Sequence, residues 1–213
     1  MPKIVDPEQR RTEIIHGLWA VIYERGIHAV TYQAVAQAAG VSVGRIQHYF
    51  DSKQDLVHAG CRAMVEGAAE AHEQRTDALE PLAALTELLI QPIPRSDAFR
   101  LGSAVWYAYL AQTVADPQIA EIIGGASRET LEYATSLLRS AGAPAPAHEA
   151  ARLVALSNGL AQSVLIGALS PDRATETLRN EIASLRAAVN STDADAGRPA
   201  PSTPSARKSS AQE

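Results

Sequence analysis

Several residue types and patterns are scarce in this sequence, and each shortage excludes a class of protein. The 213 residues include one cysteine, Cys61, which excludes an intramolecular disulfide and a cysteine-based metal site. No apolar run approaches the roughly 18 residues of a membrane-spanning helix, and the N-terminus lacks the apolar segment of a signal peptide. The sequence therefore predicts a protein that does not enter a membrane and that stays in a reducing cytoplasm.

Patterns that carry catalysis are scarce as well. The chain has no glycine-rich phosphate loop, no nucleophile elbow and no pair of histidines at metal-binding spacing, and His72 and His148 each stand apart. The sequence therefore predicts neither an enzyme nor a bound cofactor or metal ion.

Residues 31–53 form the most informative segment of the chain. Their spacing predicts two short helices, with Ala36 on the buried face of the first and Ile46 on the buried face of the second. Gly40 lies between them, where a left-handed turn costs glycine little, and Ser42 suits the N-cap of the second helix. This arrangement is typical of a helix-turn-helix, which places its second helix in the major groove of DNA.

The other segments read as helices too. The first is expected to start after Asp6 at Pro7 and to end at Gly26. A capping box at Ser52 is expected to open a helix that reaches about Arg75. Further helices are predicted over about 81–90, 97–115, 117–140, 148–169 and 171–189. Asp97 and Asp116 are expected to cap the second and third of these, and the paired glycines 124–125 are expected either to kink the third or to leave bare backbone beside a ligand or a neighbouring helix. Because no segment alternates with a period of two, the fold class is all-α.

The order of these elements resembles the TetR family of transcriptional regulators. The resemblance covers about residues 8–60, and it rests on the pattern T-x-x-x-V-A-x-x-A-G-V-S-x-G over 31–44, on Tyr49-Phe50, and on S-K-x-x-L from Ser52. Val105-Trp106…Asp116-Pro117 and L-S-N-G-L over 156–160 look like the C-terminal domain of the betaine-synthesis repressor branch of that family.

The resemblance implies a division into three parts. Residues 1–51 would form a three-helix DNA-binding domain, and a linker helix would join it to a larger helical domain, residues 52–189, that binds a ligand and forms a dimer. Residues 190–213 contain no large apolar side chain. Because such a segment cannot bury enough surface to offset its ordering entropy, it is expected to be a disordered tail.

The resemblance also implies which residues contact DNA. Arg45 could pair with guanine and Gln33 with adenine, whereas Lys53 would hold a phosphate at a helix N-terminus. The family usually has tyrosine where this chain has Gln47, so the operator sequence is expected to differ there. The expected DNA-binding residues are Thr31, Tyr32, Gln33, Ser42, Val43, Gly44, Arg45, Gln47, His48, Tyr49 and Lys53. For single side chains, a solvated surface position is the alternative.

Four of the ten aromatic residues lie on one predicted helix, 97–115. The resemblance places that helix along a ligand cavity, while core packing is the alternative reading. Asn158 and Gln162 are polar residues on an apolar helix and would need partners if buried. The expected ligand-binding residues are Met64, Phe99, Trp106, Tyr107, Leu110, Asn158 and Gln162, and the ligand is expected to be lipophilic, aromatic or cationic.

The last two predicted helices carry stripes of large apolar residues at helical spacing. The resemblance implies that these helices pair with those of a second copy in a four-helix bundle. The expected interface residues are Leu153, Leu156, Leu160, Val164, Leu178, Ile182 and Leu185.

The whole pattern predicts a transcriptional regulator that responds to a small molecule. It would bind a palindromic operator as a homodimer and leave the DNA when an inducer binds. The prediction is a repressor, and an activator is the alternative. A DNA-associated protein without sequence preference is the alternative and would need a basic surface. However, residues 1–60 carry six basic and six acidic residues, so the DNA-binding part is neutral and the net charge of −5 lies in residues 61–213.

Overall fold

The computed structural model describes residues 7–76 and 78–196. Over these ranges the chain folds into helices and contains no strand, which confirms the all-α prediction. A short 3-10 turn, Ile27–Ala29, connects the first two helices. The helices are α1 Pro7–Arg25, α2 Tyr32–Ala39, α3 Val43–Tyr49, α4 Lys53–Thr76, α5 Pro81–Ile90, α6 Asp97–Gln112, α7 Pro117–Ser140, α8 Pro146–Leu165 and α9 Pro171–Ala196.

Side-chain caps start several helices where the sequence predicts them. At the start of α4, the Ser52 hydroxyl accepts the Asp55 N–H at 3.0 Å, and the Asp55 carboxylate accepts the Asp51 N–H at 3.3 Å. At the start of α7, the Asp116 carboxylate accepts the Ile119 N–H at 3.2 Å. These caps use N–H groups that have no partner inside their own helix.

Three features of the helices differ from the sequence analysis. Ser96, rather than Asp97, caps α6, because its hydroxyl accepts the N–H of Phe99. Helix α7 continues through residues 124–125, since the hydrogen-bond ladder tolerates glycine at a cost of about 1 kcal/mol per residue. Helix α9 continues to Ala196, so the predicted tail starts inside it; the first helix breaker is Gly197. Asp6 and residues 197–213 lie outside the described residues.

Two hydrophobic clusters hold the helices together. The first cluster joins α1–α3 and the start of α4 to the middle of α6 and the first turns of α7. The second cluster joins α5, the later part of α7, α8 and α9. The DNA-binding part and the body of the protein therefore share one core across the boundary predicted at residues 51/52.

The second cluster contains much of the stripe that the sequence analysis assigned to a dimer interface. The side chains buried within the protomer itself are Leu153, Val164, Leu178 and Ile182. Those that pack at the edge of the cluster and stay partly exposed are Leu156, Leu160 and Leu185. A stripe of leucines on a helix predicts that another surface covers it, but it does not identify that surface. Here α5 and α7 of the same protomer cover the buried members of the stripe.

Candidate nucleic-acid interface and effector region

Two glycines shape the helix-turn-helix: one in the turn between α2 and α3, and one where α1 packs against α2. Gly40 adopts the left-handed conformation predicted for it, with φ 66° and ψ 32°, and closes α2 through bonds from its N–H to the preceding turn. Gly17 lies where α1 passes the end of α2, and a Cβ there would be 2.7 Å from the Cβ of Ala39. The sequence analysis missed Gly17, although a glycine inside an apolar helix was the available signal for a close approach.

Three of the expected DNA-binding residues stabilise the motif itself. Thr31 caps α2 by accepting the Ala34 N–H at 3.1 Å, and Ser42 caps α3 by accepting the Arg45 N–H at 3.2 Å. The Tyr32 hydroxyl donates to the Phe50 carbonyl at 3.3 Å and so ties α2 to the end of α3. These bonds fix the orientation of both helices relative to each other.

Helix α3 presents a polar face to solvent. Ile46 is fully buried in the first hydrophobic cluster, so the opposite side of this short helix has to face outward. The exposed residues there are Ser42, Gly44, Arg45, Gln47 and His48, while Val43 and Tyr49 are half-buried. Beyond α3, the side chains of Thr31, Gln33 and Lys53 are exposed as well.

Part of this face forms a shallow depression of about 450 Å³. The His48 ring meets the Tyr49 ring edge-on, with 5.2 Å between centroids. The lining residues are Ser42, Gly44, Arg45, His48 and Tyr49, five of the eleven expected DNA-binding residues. The structure thus brings together a guanidinium, an imidazole and hydroxyl groups on a helix whose backbone is accessible at Gly44, a combination suited to base edges and phosphates.

Helix α4 connects this motif to the body of the protein through backbone contacts. The indole N–H of Trp19 on α1 donates to the Gly60 carbonyl at 3.1 Å, and the Tyr109 hydroxyl on α6 donates to the Val57 carbonyl at 3.1 Å. A Cβ on Gly60 would lie 2.7 Å from the Tyr109 hydroxyl and in contact with Leu18. The three helices therefore meet at Gly60 without space for a side chain.

A polar contact joins the same part of α4 to α7. The imidazole Nε2 of His58 donates to the Asp116 carboxylate at 2.8 Å, and the Gln54 amide lies 3.4 Å from the same oxygen. The bond from His58 is the main reason that the pKa of Asp116 is lowered, and the Ile119 N–H and Gln54 act in the same direction while burial opposes them. Asp116 thus both caps α7 and holds α4. The sequence analysis predicted the cap, but His58 was missed.

The expected ligand-binding residues lie in different surroundings. Trp106 and Met64 pack against the first hydrophobic cluster, and Phe99 lies under the Arg95 guanidinium, 4.9 Å from ring centroid to carbon. The Tyr107 hydroxyl donates to the Asn158 backbone carbonyl at 3.0 Å. The side chains of Leu110, Asn158 and Gln162 are exposed.

The buried polar side chain on α8 is one that the sequence pattern does not single out. Ser157, one position before Asn158, is the buried polar side chain, and its hydroxyl donates to the Leu89 carbonyl at 2.6 Å. The fully buried aromatic residue of α6 is Tyr109 rather than Trp106 or Tyr107. One position along a helix is a rotation of about 100°, so a small error in phase exchanges buried and exposed residues.

Cys61 is fully buried in the first cluster. Burial raises the pKa of its thiol to about 12, which keeps it protonated at neutral pH. Cys61 is therefore a packing residue.

An exposed polar helix on a glycine-turned helix-turn-helix, attached to a helical body, defines a DNA-binding regulator. Residues 14–59 match the family of bacterial regulatory proteins named tetR, and residues 81–187 match the C-terminal domain of the BetI-type transcriptional repressors. The chain therefore belongs to the TetR family of transcriptional regulators. Its relatives are regulators and not enzymes.

Curated relatives carry the same assignment. The HTH-type transcriptional regulator PksA of Bacillus subtilis (strain 168) is 29% identical over 112 residues, which cover 52% of this chain and 55% of PksA. The regulator BetI of Serratia proteamaculans (strain 568) is 32% identical over 122 residues, which cover 56% of this chain and 62% of BetI. The match thus spans little more than half the length of these relatives.

Solved structures share the fold along most of the chain. A transcriptional regulator from Rhodococcus sp. Rha1 superposes with a TM-score of 0.74 at 24% identity and covers 84% of this chain and 97% of that one. A regulator from Saccharomonospora viridis, crystallised in complex with choline, gives a TM-score of 0.76 at 23% identity, covering 82% and 96%. At sequence identities of 24% and 23%, this similarity shows that the chain shares the fold of these two proteins.

Two kinds of feature are not found in the part of the chain that the structure describes. None of its helices is long and apolar enough to cross a membrane. No three His, Cys, Asp or Glu side chains in that part are grouped so that they could hold a metal ion.

Proposed function

We propose that this regulator is a repressor that binds a palindromic operator as a homodimer and leaves the DNA when a small molecule binds its helical body. The observation that carries this proposal is the exposed face of α3, where Arg45, Gln47 and His48 project from a helix whose other side is fully buried. A rigid support with free polar side chains is what base reading in the major groove requires.

Specific rather than general DNA affinity is supported by the charge distribution. The first 60 residues carry equal numbers of basic and acidic side chains, so few counterions would be released on binding and nonspecific affinity would be weak. Sequence reading and the spacing of two recognition helices, roughly 34–36 Å in a twofold dimer, then supply the specificity. This argues against a DNA-associated protein without sequence preference.

The outward side of α8 is our candidate for the dimer interface. Leu153 and Val164 are buried in the protomer, so a partner would meet the exposed side of α8. After Arg152, the exposed residues of this helix are uncharged, and they are Ala155, Asn158, Gly159 and Gln162. A Cβ on Gly159 would meet no atom of its own protomer within 4 Å, and the small residues Ala155 and Gly159 allow a partner helix to approach closely.

The connection from ligand to DNA would run through α4. Gly60 and His58 on this helix contact α1, α6 and α7 at the same level, so a ligand that moves α6 or α7 would also move the recognition helix. Release of DNA requires several kcal/mol of differential ligand affinity between the two arrangements. The choline complex of the Saccharomonospora viridis regulator makes small ammonium compounds the first ligands to test.

Selection of bound DNA from a random pool tests the proposal. We expect an enriched inverted repeat whose two halves are one helical turn or a multiple of it apart. Enrichment of nothing above the starting pool, with a steep salt dependence, would instead identify a nonspecific DNA-binding protein.

A further inference from the structure

A second depression, of about 430 Å³, lies between the end of α4 and the middle of α7. Its lining residues are His72, Glu73, Thr76 and Tyr133. His72 is 19 residues from the start of α4, which places it about 28 Å along the helix axis from Lys53 at the DNA-facing end. This depression is separate from the recognition helix and from the Gly60 contact.

His72 is an unusual component of this site because it is buried without being hydrogen-bonded. It is 7% exposed, and neither Nδ1 nor Nε2 has a hydrogen-bond partner among residues 7–76 and 78–196. The Thr76 hydroxyl does not help, because it donates to the His72 backbone carbonyl at 3.0 Å. A buried polar atom without a partner is unfavourable, so a molecule that supplies partners gains free energy on binding.

A partly exposed aromatic side chain borders the imidazole. The Tyr133 ring meets the His72 ring edge-on at 5.5 Å between centroids, and Tyr133 is 39% exposed. Because Tyr133 also lines the depression, its ring forms one wall of the site, and binding at the buried His72 nitrogens requires a neighbouring side chain to move.

The surrounding groups define the chemistry of the occupant. Burial lowers the pKa of His72, with Arg75 acting in the same direction and Glu87 of α5 opposing them, so the imidazole is neutral and offers a lone pair as acceptor. The Glu73 carboxylate lines the depression and is exposed. A lone pair, a carboxylate and an aromatic face together favour a cation that has hydrogens to donate.

We propose that this depression is a binding site for a small protonated amine, which donates N–H bonds to His72 and Glu73 and lies against Tyr133. The assignment of this amine as the effector rests on the proposed function, whereas its binding does not.

The test is a titration of the full chain with ethanolamine, followed through the ring nitrogens of its histidines by NMR. We expect the two ring-nitrogen signals of His72, assigned by their loss in His72→Phe, to shift and to saturate. Tetramethylammonium, which has no N–H, and 1-propanol, which has no charge, are expected to shift them much less. If ethanolamine leaves these signals in place, or if all three compounds act alike, the proposal is wrong.

Three variants identify the site. Binding measured by calorimetry should be lost in His72→Phe and kept in His148→Phe, where an exposed histidine at the start of α8 is replaced. Because His72→Phe removes two unpaired buried atoms, it should keep or raise the melting temperature. Glu73→Gln, at an exposed position, should weaken binding by about 2- to 5-fold. Unchanged binding in both His72→Phe and Glu73→Gln would overturn the proposal.

Operator binding by the same variants is measured without amine. If the wild type and the variants bind no operator while ethanolamine still binds at His72, the proposed regulatory function fails and the amine site stands. If operator binding is normal and the amine does not bind, the amine site is wrong and the proposed regulatory function stands.

Discussion

Arg45 is the side chain on which base reading depends most directly, because it is exposed on α3 and its backbone N–H is fixed by Ser42. For Arg45→Ala we expect one position in each half of the selected operator to lose its base preference, at a cost of about 1–3 kcal/mol per contact. Repeating the selection with the variant measures this. Arg139→Ala, at an exposed position near the end of α7, is the control and should select the wild-type sequence. Uniform weakening without lost preference would make Arg45 a phosphate contact.

Asp116 offers a residue-scale test of the contact between α4 and α7. Asp116→Asn keeps a good N-cap for α7 but removes the charge that His58 contacts. At pH 7 we expect a loss of about 1–2 kcal/mol in the free energy of unfolding. Because the folded pKa of Asp116 is lowered, the wild-type advantage is complete above its ordinary value of 3.8 and is lost as the pH falls through the folded pKa.

Urea unfolding of the wild type and Asp116→Asn from pH 7 down to pH 3 measures this dependence. The two curves of stability against pH should run parallel at higher pH and approach each other as the pH falls below 3.8. Asp97→Asn, at an exposed position in the first turn of α6, is the control and should show no such convergence toward the wild type. A constant difference for Asp116→Asn at all pH values would show that the charge of Asp116 does not matter.

Residue-scale features were predictable where their causes are local. Ser42 caps α3 and Gly40 turns the chain because the conformations of a few adjacent residues require them. The partners of His58 and the burial of Ser157 depend on which helix lies alongside, and adjacent sequence carries no information about that. The sequence pattern therefore draws attention to Asn158, whereas Ser157 is the buried polar residue of α8.

At the scale of one element, α4 offers a matched pair of glycines. A Cβ on Gly60 would meet the Tyr109 hydroxyl at 2.7 Å and also contact Leu18, whereas a Cβ on Gly67 would meet nothing within 4 Å. Gly60→Ala should therefore destabilise the fold by about 1–3 kcal/mol through overpacking. Gly67→Ala should stabilise it by about 0.5–1 kcal/mol through helix propensity.

Thermal and urea unfolding of both variants measure these opposite effects. Helix propensity alone predicts that both changes stabilise α4, so the sign for Gly60→Ala separates close packing from propensity. If Gly60→Ala were stabilising, α1, α4 and α6 could not meet as closely as the structure indicates.

The existence and order of the helices could be predicted from the sequence, since periodicity, caps and glycines mark them. The faces they bury were less predictable. Helix α8 has apolar residues on more than one side, so Leu153 and Val164 could serve a partner or the protomer's own core, and the structure places them in that core. Four aromatics on α6 likewise indicated a function for that helix without showing that Tyr109 is the buried one.

At the scale of the whole molecule, the shared core is what connects DNA binding to the body. Ile14 and Phe50 of the DNA-binding part belong to the same cluster as Val105 and Ile123 of the body. The sequence analysis separated the two at residues 51/52 because the capping box starts a new helix there. A helix boundary can be predicted from adjacent residues, however, whereas the extent of a core depends on contacts between distant segments.

The proposed dimer has a direct mutational test. Gly159→Arg places a long charged side chain on the outward face of α8 without meeting its own protomer, so the variant should fold normally and become a monomer. Light scattering coupled to gel filtration measures the mass. Gly67→Arg, at an open and exposed position on α4, is the control and should remain a dimer. If Gly159→Arg stays dimeric, the interface lies elsewhere.

The central claim is that two recognition helices, held at a fixed separation, read two halves of one operator. The most direct measurement is the affinity for the selected operator before and after insertion of half a helical turn, about five base pairs, between its halves. We predict a loss of at least 100-fold, about 2.7 kcal/mol, because the second half rotates to the opposite side of the duplex. Affinity unchanged by the insertion would contradict the claim and show that each protomer binds DNA independently.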